Sequence, residues 1–116
     1  MKLAAVALMV PEWDAGLSFY ADGLGFEVVE DRDQGRKRWV TVRAAAGDPV
    51  LVLAVGRDAP RDRVAYFLET EDFARDAARI EAAGGRFEEA PRFEDYGMVA
   101  VWRDPFGNRW DLIQRA

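Results

Sequence analysis

Hydrophobic residues along the chain fall into short blocks that alternate between strand-like and helix-like spacing. Residues 3–10 form a continuous apolar run that ends at a proline, which predicts a buried strand. Apolar residues then recur at helical spacing, at Trp13, Leu17, Tyr20 and Leu24. Acids precede this helix and Gly25 follows it, as expected at the two ends of a helix. Three strands are predicted next, at residues 26–30, 39–43 and 50–55, with a polar loop at 31–36.

The same order of elements returns sixty residues later. A strand at 64–70 precedes a second helical series that matches the first position by position: Phe73, Ala77, Ile80 and Gly84. Further strands are predicted at 86–90, 98–103 and 108–114, with a loop at 91–97 and a turn at Asp104-Pro105. We therefore expect one domain over residues 1–116, built of repeats 1–56 and 61–116 around a linker at 56–60.

This repeat predicts an α+β fold made of two βαβββ modules. Each predicted half has four strands and one helix, so the helix can cover only one face of its sheet. The other face is left to curve, and we expect the two curved mixed sheets to enclose a cleft of the kind that binds small ligands.

Composition narrows the functional classes. The chain has 21 acidic and 16 basic residues, a net charge of −5, which argues against a nucleic-acid partner and suits a cationic ligand. It contains no cysteine and no histidine, so disulfides, thiol chemistry and the commonest metal ligand and general base are all absent. No apolar run reaches membrane-spanning length, and we expect a cytoplasmic protein with no membrane partner.

Four segments carry a resemblance to a known family. They read DAGLSFYADGLGFEVVED, GRKRWVTV, ETEDFARDAARIEAAGG and DPFGNRWDLIQ. Together they resemble the vicinal oxygen chelate superfamily, also called the glyoxalase, bleomycin-resistance and extradiol-dioxygenase superfamily. The resemblance covers nearly the whole chain and implies paired βαβββ modules, usually in a homodimer or a fused equivalent.

The resemblance also implies where a metal site would be. In metal-using members, four ligands come from the first and fourth strands of each module, which correspond here to Ala5, Val52, Ala65 and Asp111. Three of these side chains are hydrocarbon, whereas a catalytic divalent ion needs about three N, O or S ligands from the protein. We therefore expect no metal and no cofactor.

Asp111 is the most informative single residue, because it is an acid between Trp110 and Leu112 in a strand of otherwise buried character. It pairs with an arginine, for which Arg109, Arg103 and Arg43 are candidates, or contacts a ligand, and the two roles are compatible. If it is partly removed from water, its pKa should rise. It is then the best available proton donor or acceptor.

Period-two alternation places further residues on the same side as Asp111, and these are the predicted ligand contacts. They are Ala5, Ala7, Met9, Trp39, Arg43, Val52, Ala65, Phe67, Glu69 and Asp111. The small members either leave room for a ligand or reflect tight packing of two sheets. Of Trp39 and Trp102, one is expected to face inward, with Trp39 preferred, while Trp13 and Trp110 are expected to pack in the core.

Three functions remain open at this point. The first is a metal-independent protein of the glyoxalase/bleomycin resistance type that binds a small molecule, such as an antibiotic or aromatic metabolite, in a homodimer. The second is an enzyme of the same superfamily, a lyase, isomerase or dioxygenase-like protein. It would use Asp111 or Glu69 as acid or base, or a non-standard metal site near Glu94 and Asp95. The third is a structural or regulatory partner domain.

Overall fold

The chain forms two units, each with its own sheet and helix. The computed structural model describes all 116 residues, and it divides them into Met1–Ala59 and Pro60–Ala116. The boundary falls inside the predicted linker at 56–60. Each sheet mixes parallel and antiparallel pairs, so the predicted mixed α+β class is confirmed.

The first unit contains a four-stranded sheet and one helical segment. Its elements are β1 (Val6–Met9), α1 (Trp13–Leu17), a π-helical turn (Ser18–Gly23), β2 (Glu27–Gln34), β3 (Lys37–Arg43) and β4 (Leu51–Ala54). The strand order is β1-β4-β3-β2, with β1 parallel to β4 and the other pairs antiparallel. The short β1 and the polar β2 therefore form the two edges of the sheet.

The second unit repeats this plan with one additional short strand. Its elements are β5 (Tyr66–Glu69), α2 (Phe73–Ala83), β6 (Arg86–Phe87), β7 (Arg92–Glu94), β8 (Gly97–Arg103) and β9 (Arg109–Arg115). The order is β5-β9-β8-β6, and β7 also pairs with β8. β5 runs parallel to β9, as β1 does to β4, so the repeat read from the sequence is present in the strand pairing.

Three sequence-based assignments are corrected by the structure. Residues 3–5 do not belong to β1, because its partner β4 pairs with Val6–Met9 alone, and Leu3 is 76% exposed. The predicted loop at 31–36 is mostly strand: β2 continues to Gln34 and turns at Gly35. The predicted loop at 91–97 contains β7. In β2 and β7 the strands are exposed and polar, so they carry no apolar alternation to recognise.

Each helix packs on one face of its own sheet. In the first unit, a methyl group added to Gly16 of α1 would lie 2.9 Å from Leu53 Cδ1 and 3.1 Å from Val10 Cγ1, so the helix sits directly on β4 and the end of β1. In the second, the rings of Phe73 and Phe87 lie 6.0 Å apart between α2 and β6. We use the names first open face and second open face for the side of each sheet that lies away from its helix.

The buried side chains lie mainly on the helix-covered faces. In the first unit they include Leu8, Val10, Phe19, Tyr20, Val40, Val42 and Leu53. In the second they include Phe73, Ile80, Ala100, Trp102, Trp110 and Leu112. No helix is long and apolar enough to cross a membrane.

Candidate functional site

Asp111 lies at the centre of β9, in the middle of the second sheet. Its register partners are Phe67 on β5 and Val101 on β8. Its sequence neighbours Trp110 and Leu112 are buried on the α2 side. Because side chains alternate along a strand, Asp111 belongs to the second open face.

A side-chain-supported turn sets the start of β9 and therefore the position of Asp111. Oδ1 of the buried Asp104 accepts hydrogen bonds from the backbone N–H groups of Phe106 and Asn108, at 2.9 and 2.8 Å. Its Oδ2 accepts a third from the Asn108 amide, at 2.7 Å. Gly107 between them has a φ of +97°, in the left-handed region that favours glycine. The Asp-Pro-Phe-Gly-Asn segment is thus a turn that sets the start of β9, and therefore which of its side chains lie on each face of the sheet.

The Asp111 carboxylate is the group on this face whose hydrogen-bonding capacity is unused. Its Oδ1 is buried and has no hydrogen-bond partner. Burial raises the pKa of Asp111; the charges of Arg92 and Arg109 oppose this shift, and that of Glu89 adds to it. The predicted upward shift is therefore confirmed.

The three arginines named as possible partners of Asp111 are each engaged by another acid. Glu88 binds both Arg109 Nε, at 2.9 Å, and Arg103 Nε, at 2.8 Å. The hydrogen bond from Arg109 lowers the pKa of Glu88, which keeps that carboxylate charged. Arg43 binds Glu27 at 2.7 Å in the first unit. Each of these arginines thus forms its ion pair with another acid, while the positive charge of Arg109 still acts on Asp111.

Other predicted contacts of the second unit lie on the same face as Asp111. Phe67 is 65% exposed and directly opposite Asp111 in the register. Glu69 is one step further along β5 on this face, but it forms an ion pair with Arg115 at 2.7 Å. Ala65 lies just before β5, and its backbone N–H donates to the carbonyl of Arg109. An exposed ring beside a carboxylate without a partner is the main feature of the second open face.

The predicted contacts of the first unit lie along its own open face. Ala7 and Met9 on β1 pair with Val52 and Ala54 on β4. Trp39 and Arg43 project from β3 on the same side, and Ala5 precedes β1. Trp39 is 41% exposed, and its Nε1 donates to Glu30 at 3.3 Å.

The remaining tryptophans are core residues or lie away from this face. Trp102 is fully buried and stacks on Trp110, with ring centroids 5.3 Å apart and planes 13° apart. The sequence left open whether Trp39 or Trp102 belongs with the site. The structure places Trp39 on an open face and Trp102 on a covered one.

Thr41 is a residue of the first open face that was not among the predicted contacts. It lies between the fully buried Val40 and Val42, is itself 1% exposed, and its Oγ1 has no hydrogen-bond partner. Nothing in the sequence distinguishes it from an ordinary threonine in a strand. Period-two alternation puts it on the same face as Trp39, but does not show that its hydroxyl lacks a partner.

The residues present do not fit a metal ion. Three of the four positions that the family resemblance marks for ligands are Ala5, Val52 and Ala65, which carry no donor atom. No group of three or more Asp, Glu, His or Cys residues is arranged to hold a metal. A single carboxylate cannot supply the donor set that a catalytic divalent ion requires.

Known proteins resemble this chain over nearly its full length. An uncharacterized protein of Shewanella frigidimarina (strain NCIMB 400) is 37% identical over 97% of this chain and 93% of its own. The crystal structure of TnmS3, an antibiotic binding protein from Streptomyces sp. CB03234, matches with a TM-score of 0.83 at 25% identity, covering 100% of this chain and 97% of TnmS3. The crystal structure of UcmS2 matches with a TM-score of 0.80 at 30% identity, covering 97% of both chains.

The chain also matches the sequence model of a known protein family, over a range that includes strands of both sheets and the turn before β9. The model described as Glyoxalase/Bleomycin resistance protein/Dioxygenase superfamily matches residues 2–112, a span that includes Asp111 and all the predicted contacts. The chain therefore belongs to the glyoxalase/bleomycin resistance protein/dioxygenase superfamily.

Proposed function

We propose that this protein is a metal-independent small-molecule-binding protein that sequesters an antibiotic or an aromatic metabolite. The observation that carries this proposal is the Asp111 carboxylate, which has a buried oxygen without a partner while the arginines around it are held by other acids. A buried acceptor left unpaired is costly in free energy, so a ligand that donates to it gains affinity. The Phe67 ring beside it offers apolar contact area.

Two further facts support binding as the activity. The donor set at the family's metal positions does not fit a metal ion, so the metal-dependent chemistry of the superfamily lacks its basis here. TnmS3, which this chain resembles over its whole length, is an antibiotic binding protein. The proposed contacts are the residues predicted from the sequence: Ala5, Ala7, Met9, Trp39, Arg43, Val52, Ala65, Phe67, Glu69 and Asp111. We place the protein in the cytoplasm as a homodimer.

Binding is tested by a thermal-shift and tryptophan-fluorescence screen against bleomycin, other antibiotics and polycyclic aromatic metabolites. We expect at least one compound to raise the melting temperature of the wild-type protein. The variant Asp111→Asn should then bind that compound roughly ten- to a hundredfold more weakly, since hydrogen bonds to charged groups contribute about 1.5–3 kcal/mol. Asp58→Asn, which removes the same charge from an exposed site in the linker, is the matched control and should bind normally. A panel without a single binder would refute the proposal.

An enzymatic role is the second candidate, favoured by the raised pKa of Asp111. A carboxyl group with a raised pKa is a better general acid or base near neutral pH than an ordinary aspartate. Incubating the protein with each bound compound and following the compound by NMR separates the two functions. Sequestration leaves the compound unchanged, whereas a lyase or isomerase converts it in a manner that Asp111→Asn abolishes. Elemental analysis of the same preparation tests metal independence.

A further inference from the structure

Asp111 and Phe67 place a carboxylate and an aromatic ring side by side on the second open face. They are register partners across the parallel strands β5 and β9, and neighbouring strands lie about 4.8 Å apart. Phe67 is 65% exposed, and β5 is the edge strand of its sheet. The ring is thus accessible to a ligand that approaches this face.

The two carboxylate oxygens of Asp111 differ in accessibility. Oδ1 is buried and has no hydrogen-bond partner. Asp111 as a residue is partly exposed, so Oδ2 is the oxygen that a ligand can reach. The carboxylate can therefore accept a hydrogen bond from outside the protein through Oδ2.

Two ion-paired clusters lie near Asp111, and charges from both act on it. The clusters consist of Glu88 with Arg103 and Arg109, and of Arg92 with Glu89 and Glu94. Together they contain three carboxylates and three guanidinium groups, paired at 2.8–2.9 Å. Their charges balance, so the charge of Asp111 is left without an opposite charge. A cation is the ligand group that compensates it, whereas an anion would be repelled.

A protonated amine combines the two interactions that this pair of side chains offers. Its N–H groups donate to a carboxylate, and hydrogen bonds between charged groups are roughly twice as strong as those between neutral groups. Its positive charge is also attracted to the face of an aromatic ring. A neutral hydroxyl group would gain only an ordinary hydrogen bond from Asp111, and a ligand carboxylate would gain neither interaction.

We propose that the second open face binds the ammonium group of an amine ligand, which donates to Asp111 Oδ2 and lies against the Phe67 ring. This inference rests on the proposed binding function and deepens it by naming the ligand class: a protonated amine attached to an apolar or aromatic group. The net charge of the chain, −5, has the sign that attracts such a ligand.

Three probes with one ring system and different charges test this ligand class. They are 2-naphthylmethylamine, which is cationic at pH 7, the neutral 2-naphthalenemethanol, and the anion 2-naphthoate. Binding is followed by ¹⁵N NMR titration of the full-length protein, with the amides of Phe67 and Asp111 as reporters. We expect the amine to bind about tenfold more tightly than the alcohol, and the naphthoate to bind most weakly. Equal binding of amine and alcohol, or binding of neither, would overturn the proposal.

Variants of the two side chains separate the site from general attraction by an acidic protein. Asp111→Asn keeps the size of the side chain and removes its charge, so it should bind the amine and the alcohol equally. Phe67→Leu keeps an apolar side chain without a ring and should weaken amine binding about threefold. Asp58→Asn, the exposed control, should keep the full preference for the amine. A preference that survives in Asp111→Asn would overturn the proposal.

The probe titrations and the antibiotic screen described above fail independently. An antibiotic that binds in an Asp111-dependent manner, without a preference for the amine among the probes, would remove this ligand class and leave the proposed function standing. A preference for the amine that Asp111→Asn abolishes, without any binder in the screen, would support the ammonium site and refute sequestration of the screened compounds.

Discussion

At the scale of single residues, the carboxylate of Asp111 gives the site its unused hydrogen-bond acceptor. Its neighbours are arranged so that Glu88 holds Arg103 and Arg109, and the acid keeps an oxygen that nothing in the protein uses. The same arrangement makes the free protein less stable than it could be. Binding capacity and stability are thus opposed at this position.

Replacing Asp111 with asparagine is expected to stabilise the free protein at neutral pH. A carboxyl whose pKa is raised by folding binds its proton more tightly in the folded state than in the unfolded state. Stability is therefore lost as pH rises from the ordinary aspartate pKa of about 3.9 to the raised value, and the full penalty applies above it. Asp111→Asn should therefore be more stable than wild type at pH 7.

Chemical denaturation of both proteins between pH 3 and pH 8 measures this effect. The advantage of the variant should shrink as the pH falls and vanish below the ordinary aspartate pKa, where both side chains are neutral. Asp58→Asn should show no such pH-dependent gain. A wild-type protein more stable than Asp111→Asn at pH 7 would mean that the carboxylate has a stabilising partner.

Part of this site could be predicted from the sequence, because side chains alternate regularly between the two faces of a strand. Asp111 could be assigned to one side of β9 because its sequence neighbours, Trp110 and Leu112, are large apolar residues that pack in the core. Thr41 could not be singled out, because a threonine with a satisfied hydroxyl and one without look the same in a sequence. Arg103 and Arg109 bind Glu88 and not Asp111, and this depends on the pairing of β6 with β8. Short-range patterns in the sequence do not predict that pairing.

At the scale of elements, the helix ends and the turns were the most predictable features. α2 ends where expected, with Gly84 at a φ of +112° as its C-cap, and its N-cap is Asp72, whose side chain accepts from the backbone N–H of Arg75. The segments that were missed, β2 beyond Glu30 and β7, are exposed strands whose hydrogen bonds come from a neighbouring strand. Apolar periodicity cannot detect a strand that buries neither face.

Gly97, the first residue of β8, pairs with Arg115 at the end of β9 and gives a prediction at the scale of elements. It has a φ of +143°, and an added Cβ would lie 2.2 Å from the carbonyl oxygen of Gln114 on the paired strand. Gly97→Ala should therefore lower the free energy of unfolding by roughly 3 kcal/mol, because backbone must move in a paired sheet.

Gly47→Ala is the matched control for this prediction. Gly47 also has a positive φ, +87°, but nothing lies within 4 Å of the added carbon, so only the backbone preference is lost. This costs roughly 1 kcal/mol. Equal losses in the two variants, measured by urea denaturation, would show that the close contact at Gly97 is unimportant.

At the scale of the whole molecule, the exposed apolar residues bear on assembly. Val6 on the edge strand β1 is 39% exposed, and Phe67 on the edge strand β5 is 65% exposed. Unpaired strand edges with apolar side chains favour association with another chain. These observations support the homodimer that the family resemblance implies.

Sedimentation equilibrium tests this assembly directly. The 13.0 kDa chain is expected to sediment with twice its mass at micromolar concentration. Val6→Lys, which places a charge on the exposed edge strand β1, should weaken the dimer. A monomer at all concentrations would refute the homodimer.

The division into two contiguous units also has a consequence for synthesis. All strands of the first sheet lie within residues 6–54, and every strand of the second lies within 66–115. The nascent chain therefore contains everything needed to pair β1 with β4 before β5 leaves the ribosome. The N-terminal sheet can complete its ladder during translation, so the strands of the two repeats, similar as they are, have little opportunity to exchange partners.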